Sequence, residues 1–355
     1  MCSRPLTDCL TQFKKLNTMQ INNFVGIDVS KETLDFCLIQ NGRKVISKTI
    51  GNTPKEVKKC VTEMLKQPDG GLESTVFCME HTGIYNLPLV KYLKGIEAKI
   101  WIESGVQIKK SMGMVRGKND QVDAYRIAMY AFDKRTQMKL WKAPREVVER
   151  LAALLAHRSR LIKNQKQLQT PIKEQKRFWD KDLAKAIEKS TNVILKSVAN
   201  QVIETEKKIL DLIKSDERLN ELYEYVTSVK GIGFVTAAHI IATTNEFISI
   251  SEPKKFACYA GVVPFEHTSG TSVKGRPRVS QMANKSIKTL LHLSALTSIR
   301  GDGDMNEYYL RKVAEGKNKM SVINAVRNKL VLRIFACVRD KKFYEKNYQY
   351  DVKRT

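Results

Sequence analysis

The stretch that decides the fold is residues 23–51, NFVGIDVSKETLDFCLIQNGRKVISKTIG, near the start of this 355-residue chain. Its opening run, NFVGIDVS, is rich in residues that favour strands, and TLDFCLIQ continues as a second strand. Asn41-Gly42 then provides the dipeptide most typical of a type I′ hairpin turn, and RKVISKTIG follows it. We therefore predict three consecutive strands joined by tight turns.

The residues after this stretch alternate between helix and strand signals. Pro54 opens a helical run, PKEVKKCVTEMLKQ, at an early position where proline is tolerated. A strand (STVFCMEHT), a helix (NLPLVKYLKG), a strand (AKIWIE) and a helix ending in DQVDAYRIAMYAFD follow. The order βββαβαβα differs from a doubly wound sheet and predicts a ribonuclease-H-like mixed sheet over residues 21–145.

The rest of the chain is predicted to be mainly helical. Residues 146–227 carry two apolar seams with 4-3 spacing, and Pro171 is expected to break the first helix. The seams are Val147, Leu151, Leu154, Arg158, Leu161, Gln165, Leu168, and Leu195, Val198, Val202, Thr205, Ile209, Leu212. They fit either an intramolecular hairpin or a coiled coil between subunits. Residues 228–345 form a third unit, with an extension of unknown role at 1–20 and a tail at 346–355.

Composition and charge narrow the function classes. A hydrophobic content of 42% with 9 Pro and 18 Gly excludes disordered and collagen-like chains. The formal net charge of +25 is spread along the whole chain and favours a nucleic-acid partner, although a merely solvated basic surface is the alternative. No apolar run reaches the ~20 residues of a membrane span, and no secretory signal is recognisable. We expect a cytoplasmic protein with no membrane partner.

Four acidic residues form the first candidate site. Asp28 lies inside the opening strand, Glu80 ends a later strand, and Asp120 and Asp123 share one face at the start of a helix. Converging carboxylates repel one another without a cation, and hard oxygen ligands suit Mg²⁺. Each acid alone could equally be a strand-end or helix-capping residue. The basic residues nearby, Arg116 and Lys118, favour a phosphate partner.

Two further motifs point to nucleic acid. VKGIGFVTAAHII, residues 229–241, has the Gly-apolar-Gly pattern of a helix-hairpin-helix turn, in which Lys230, Gly231 and Gly233 would approach a phosphate. An ordinary glycine-containing turn is the alternative.

The second of these motifs, HTSGTSVKGRPR, residues 267–278, sets hydroxyl groups beside the cations Lys274, Arg276 and Arg278. The candidate nucleophiles in it are Ser269, Thr268, Thr271 and Ser272. A plain polar loop on a DNA-contacting face fits this motif as well.

Together these motifs resemble a known family. VGIDVSKETLDFCL, MEHTGIYNLPLVKYL, the KNDQVDA run and LWKAP resemble the N-terminal DEDD domain of a bacterial and archaeal family of insertion-sequence transposases. VKGIGFVTAAHIIA and FACYAGVVPFEHTSGTSVKGRPRVSQMANKSIKTLLHLSAL resemble the C-terminal transposase domain of that family. The resemblance covers about residues 24–345, and the family includes a site-specific invertase of pilin genes.

The resemblance implies a fold and a chemistry. It implies a Holliday-junction-resolvase-like domain, a helical coiled-coil linker and a C-terminal domain whose nucleophilic serine aligns with Ser269. The acid tetrad then falls on Asp28, Glu80, Asp120 and Asp123, with Mg²⁺ as the cofactor. The serine would form a covalent link to DNA, which conserves bond energy and needs no ATP. His267 and Thr268 stand where other residues are commoner.

The resemblance also implies partners. They are donor and target double-stranded DNA, a structured noncoding bridge RNA that pairs with both, and a homodimer that assembles into a tetramer. Such a protein would work at the prokaryotic nucleoid. Three alternatives stay open: a Mg²⁺-dependent junction endonuclease in which Ser269 is only structural, a protein-read DNA invertase, and a domesticated, non-catalytic nucleic-acid-binding protein.

Overall fold

The computed structural model describes residues 21–111, 120–175, 178–269, 273–280 and 282–345. The chain divides into two compact units, residues 1–143 and 144–355. Arg116 and Lys118, both predicted to bind nucleic acid, lie outside the described residues, as do Thr271 and Ser272.

The first unit is built on a five-stranded mixed sheet. Its strands are β1 (Asn23–Val29), β2 (Thr33–Gln40), β3 (Arg43–Gly51), β4 (Thr75–Glu80) and β5 (Lys99–Glu103), and their spatial order is β3-β2-β1-β4-β5. β1, β2 and β3 are antiparallel, whereas β4 and β5 run parallel to β1. This arrangement confirms the predicted ribonuclease-H-like mixed sheet.

Four helices accompany the sheet: α1 (Pro54–Leu65), α2 (Leu87–Gly95), α3 (Gly105–Ser111) and α4 (Asp120–Asp133). The short helix α3, and a 3₁₀ turn at Gly83–Asn86, add to the predicted order. Asn41 and Gly42 both have positive φ, 49° and 78°, which is the conformation of the predicted type I′ turn.

Helix α4 lies unusually close to β1. A Cβ added at Gly26 would stand 2.2 Å from the carbonyl oxygen of Ala124 and 2.2 Å from the amide nitrogen of Ala128. Only a glycine in β1 therefore allows the helix backbone to rest directly on the strand. This close packing fixes the position of the first turn of α4 relative to the end of β1.

The second unit is mainly helical and has one continuous core. Its helices are α5 (Glu146–Gln175), α6 (Lys181–Lys214), α7 (Glu217–Ser228), α8 (Phe234–Thr244), α9 (Pro253–Tyr259), α10 (Lys285–Ser298), α11 (Asp304–Ala314) and α12 (Lys319–Asp340). Leu151 of α5 and Ile209 of α6 share that core with Val226 and Leu330 from later helices. The two apolar seams face each other within one chain, so the structure forms the intramolecular hairpin that was one of the two alternatives.

Two details of this unit differ from expectation. Pro171 does not break its helix, because α5 continues through it to Gln175. The proline ring is exposed, so the carbonyl that loses its helical donor can bind water instead, and a 30-residue helix packed along α6 tolerates the local cost. A two-stranded antiparallel sheet, β6 (Pro264–Ser269) and β7 (Val273–Val279), also interrupts the helices where a polar loop was considered.

A fully paired charge network joins three elements of the second unit. Arg145, just before α5, donates to Glu246 after α8 and to Asp216 at the start of α7. The Glu246 side chain is 0% exposed and also contacts Arg218 at 3.2 Å. Hydrogen bonding from Arg145 lowers the pKa of Asp216.

Within the part of the chain that the structure describes, no helix is long and apolar enough to cross a membrane.

Candidate metal centre and nucleic-acid motifs

Three of the four predicted acids meet at one point of the first unit. Asp28 comes from the end of β1, and Asp120 and Asp123 come from the first turn of α4. One carboxylate oxygen from each lies within 4.8 Å of the others. We call Asp28, Asp120 and Asp123 the acid cluster.

The acid cluster carries more negative charge than is neutralised by the basic side chains bonded to it among the described residues. Burial, then the neighbouring Asp123 and Asp120, raise the pKa of Asp28 to about 6. Within the described ranges, Arg126 compensates part of this charge, because its Nη1 donates to Oδ1 of Asp123 at 2.7 Å. Closely spaced carboxylate oxygens are the donor set that a hard divalent cation such as Mg²⁺ prefers, so the residues present fit such an ion.

The fourth predicted acid, Glu80, stands apart from the acid cluster. The pairing of Ile27 with Met79 puts Glu80 next to Asp28 on the adjacent parallel strand. Its carboxylate, however, lies over the Cα of Gly105, where an added Cβ would be 1.7 Å from Oε1. The backbone thus places Glu80 beside the site, and the side chain rests against the start of α3.

Sequence reasoning missed a fifth acid at this site. Asp35 pairs directly with Asp28 across β1 and β2, is only 5% exposed, and accepts a hydrogen bond from the hydroxyl of Thr49. It also contributes to the raised pKa of Asp28. The signal was present, because Asp35 interrupts an apolar strand, in TLDFCLI, in the same way as Asp28 does in VGIDV.

The predicted helix-hairpin-helix turn lies between α7 and α8, at residues 229–233. Gly231 has φ 96°, and a Cβ there would be 2.7 Å from the carbonyl oxygen of Ser294, so this glycine is needed for packing against α10. Gly233 caps α8 with open space around it. The ammonium of Lys230 donates to the carbonyl of Asp302, so in this structure it is bonded within the protein.

The predicted nucleophile lies on the β6–β7 hairpin. Ser269 is the last residue of β6, and its backbone pairs with Val273 of β7. The backbones of Thr268 in β6 and of Lys274 and Arg276 in β7 are placed, and Arg278 near the end of β7 is exposed. The hairpin therefore sets the backbones of these residues along two paired strands.

Family comparisons agree with this architecture. A DEDD-type IS110 family model described as "Transposase" matches residues 25–175, and the model "Transposase IS116/IS110/IS902 family" matches residues 223–310. The chain belongs to this transposase family. Membership makes it a DNA transposase or recombinase, and the first of the two matched regions contains the whole acid cluster.

Several relatives are similar over most of their length. The pilin gene-inverting protein of Moraxella lacunata is 24% identical over 91% of this chain and 98% of its own. The transposase for insertion sequence element IS1111A of Coxiella burnetii is 22% identical over 93% of each chain. Among solved structures, T. thermophilus RuvC in complex with a Holliday junction substrate covers 33% of this chain and 98% of its own, with 11% identity and a TM-score of 0.26.

Proposed function

We propose that this chain is the recombinase of an insertion sequence, which cuts and rejoins DNA through a covalent serine–DNA intermediate with Mg²⁺ at the acid cluster. The observation that carries the proposal is the convergence of Asp28, Asp120 and Asp123 at the end of β1. Three carboxylates that close together, with Arg126 bonded to one of them, favour the binding of a cation. The family adds the reaction class, because its members are transposases.

The acidic side chains would hold the ion and position it. Asp28, Asp120 and Asp123 would supply carboxylate oxygens, and Glu80 would complete the tetrad by turning from Gly105 toward its neighbour Asp28. When bound, Mg²⁺ would neutralise a phosphate oxygen and stabilise the charge that develops on it. Asp35 would keep its bond to Thr49 and hold β2 and β3 in place behind the site.

Ser269 would carry the strand exchange. Its hydroxyl oxygen would attack the phosphorus and release its proton to solvent. The bond from phosphorus to the leaving deoxyribose oxygen would break, and that oxygen would take up a proton. Attack by another deoxyribose hydroxyl would then reverse these steps, release Ser269 and rejoin the DNA. The number of phosphodiester bonds is conserved, so no nucleotide triphosphate is consumed.

A guide RNA and further subunits complete the proposal. A structured noncoding bridge RNA would choose donor and target DNA by base pairing, while the basic surface of the protein holds the backbones. A dimer that pairs into a tetramer would combine the Ser269 of one subunit with the acid cluster of another. The exposed apolar residues Val193, Ile194 and Ile203 on α6 support further helix packing between subunits. The complex would work in the cytoplasm, on nucleoid DNA.

Adduct trapping tests the serine step. The full chain is incubated with end-labelled DNA from the element's flank, RNA transcribed from that flank, and Mg²⁺, and the products are separated under denaturing conditions. We expect a labelled protein–DNA adduct whose modified peptide contains Ser269, and no adduct from Ser269→Ala. Thr268→Ala, with its hydroxyl on the adjacent residue, is the matched control and should retain the adduct.

The outcomes separate the candidate functions. Cleaved DNA without an adduct, equal in the wild type and Ser269→Ala, would favour a Mg²⁺-dependent junction endonuclease. Adduct formation that does not need RNA would favour a protein-read invertase, which the similarity to the pilin gene-inverting protein makes the second candidate. Binding with neither cleavage nor adduct would favour a domesticated, non-catalytic protein.

A further inference from the structure

Among its described residues, the second unit contains a buried arginine that is bonded to no acidic side chain. Arg327 on α12 is only 6% exposed. Its Nη2 bonds with Nδ1 of His292 at 2.6 Å, and its Nη1 donates to Oδ1 of Asn324 at 3.3 Å. The Nε–H group is buried and has no hydrogen-bond partner among the described residues. A buried guanidinium whose bonded partners are neutral is costly, so its retention needs an explanation.

His292 adds a second donor to this place. A guanidinium carries only donors, so Nδ1 of His292 must accept the bond from Arg327, and the ring proton must then lie on Nε2. Burial, together with the charge of Arg327, lowers the pKa of His292 and favours the neutral ring. The ring therefore presents an N–H donor on the side that faces away from Arg327.

Lys288 reaches the same part of the unit. It precedes His292 by four residues on α10, so the two side chains share one helix face. Its Cδ would be 3.7 Å from a Cβ at Gly261, and the side-chain amide of Asn324 donates to the neighbouring carbonyl of Val262 at 2.7 Å. Lys288 and Asn324 thus both lie against the turn at Gly261 and Val262, shortly before β6 begins.

We call Lys288, His292, Asn324 and Arg327 the donor cluster. Across the described ranges, none of these four side chains is bonded to a carboxylate. Lys288 is half-buried, so this end of the donor cluster is partly open to solvent. The donor cluster therefore has the composition of an anion site: two permanent cations and additional N–H groups, with no acid to neutralise them.

We propose that the donor cluster binds a backbone phosphate of the nucleic-acid substrate at the base of the β6–β7 hairpin. The choice of a nucleic-acid phosphate rests on the proposed function, and the chain's net charge of +25 agrees with it. Phosphate oxygens accept from a guanidinium and an ammonium at once, and the donor cluster contains one of each, Arg327 and Lys288. A strand held there would be anchored where the hairpin that carries Ser269 starts.

A purely structural role makes the opposite prediction for stability. If Arg327 only ties α12 to the turn at Val262 through Asn324, then Arg327→Met should lower the melting temperature. If the arginine is kept for an anion, then Arg327→Met should raise the melting temperature in phosphate-free buffer, because an uncompensated buried charge is removed. The sign of the shift distinguishes the two roles.

Inorganic phosphate is the first probe. The melting temperature of the full chain is measured in chloride and in phosphate at equal ionic strength. We expect phosphate, at about ten times its Kd, to raise the melting temperature of the wild type by roughly 2–4 °C over chloride. Arg327→Met should abolish this difference, and the half-buried Lys288→Gln, which leaves the core intact, should reduce it. Lys312→Gln, whose ammonium is paired with Glu315 at 2.6 Å, is the matched control and should keep the difference.

A duplex-binding assay is the second test. Affinity for a 30-base-pair DNA duplex is measured against salt in the Ser269→Ala background, so that no covalent chemistry contributes. We expect Lys288→Gln and Arg327→Met each to reduce the log–log slope by about 0.9, and the double variant to reduce it no further, because both residues hold one phosphate. Unchanged slopes, or additive losses, would overturn a shared site, as would the absence of a phosphate-specific melting shift.

These readouts are independent of recombination. If Ser269 forms no adduct but the slopes and melting shifts appear as expected, the proposed function fails and the phosphate site stands. If adducts form, but phosphate gives no melting shift and neither Lys288→Gln nor Arg327→Met changes the salt slope, the recombinase stands and the phosphate site fails.

Discussion

The acid cluster of the first unit and the donor cluster of the second both gather charge that is poorly compensated, and the two charges have opposite signs. In the part of the chain that the structure describes, Asp28, Asp120 and Asp123 have one bonded arginine, whereas Arg327 and Lys288 have no bonded acid. Both lie at the end of a strand or hairpin, next to a helix that supplies part of the site. A protein leaves charge uncompensated at a cost in stability, so such places are candidates for ligands.

The Arg145 network shows what the same residue types look like when they serve structure. Glu246 is more deeply buried than Asp28, but it is bonded to Arg145 and approached by Arg218. Every charge there has an opposite partner, and the result is a tie between the beginning of α5 and the end of α8. Pairing, rather than burial, separates a structural charge from a candidate site in this molecule.

The largest expected effect is on catalysis by the acid cluster. Asp28→Asn replaces one carboxylate by an amide of nearly the same size. We expect the rate of DNA strand transfer at saturating Mg²⁺ to fall by at least about 10²-fold. Asp133→Asn, an exposed acid at the end of the same helix α4, is the control and should retain activity. Circular dichroism would verify that both variants fold. Wild-type rates from a folded Asp28→Asn protein would contradict a metal role for the cluster.

The next effect is on stability, and it tests whether the paired charges of the Arg145 network serve structure. Arg145→Met leaves the buried carboxylate of Glu246 with only Arg218, and we expect the free energy of unfolding to fall by about 3 kcal/mol. Arg150→Met, which breaks an exposed pair with Glu146, should change it by less than about 0.5 kcal/mol. Urea unfolding measures both. An unchanged stability for Arg145→Met would mean that pairing does not mark structural charges here.

The sequence predicted the first unit well because its information is local. The Asn41-Gly42 turn needs two positive φ angles, and the apolar runs on either side of it can only pair as a hairpin. The position of Asp120 and Asp123 followed from helix periodicity. The contact of α4 with Gly26 could not be predicted, because nothing in the sequence around a strand glycine indicates which element packs against it.

The second unit was less predictable because its decisive contacts are distant in sequence. Arg327 and His292 are brought together by two helices, and no local spacing relates them. Pro171 was predicted to end a helix from its own chemistry, and the packing of α5 along α6 overrides that preference. Asp35 could have been found with the rule that identified Asp28, namely an acid inside an apolar strand.

A smaller effect concerns the pH dependence of the acid cluster without metal. Burial and the neighbouring carboxylates raise the pKa of Asp28 from its ordinary 3.8 to about 6, so between pH 4 and 6 the folded state binds more protons than the unfolded state. Its free energy of unfolding should therefore fall as pH rises through this window, by roughly 1–2 kcal/mol after solvent screening. Unfolding is measured in a chelator for the wild type and Asp28→Asn. The difference between their pH profiles isolates Asp28, and identical profiles would contradict the raised pKa.

The smallest effect tests where Glu80 acts. Gly105→Ala puts a Cβ where the Glu80 carboxylate now rests, and the obstacle is the end of a flexible side chain, so stability should change by less than about 1 kcal/mol. The displaced carboxylate can move toward Asp28, which lies next to Glu80 on the adjacent strand. Mg²⁺ affinity, measured from the melting temperature against Mg²⁺ concentration, should thus be kept or strengthened by up to about threefold. Gly95→Ala, where a Cβ meets nothing within 4 Å, controls for the backbone effect of the substitution. A clear loss of Mg²⁺ affinity in Gly105→Ala alone would mean that Glu80 serves the ion from its position over Gly105, and that the tetrad needs no rotation of this side chain.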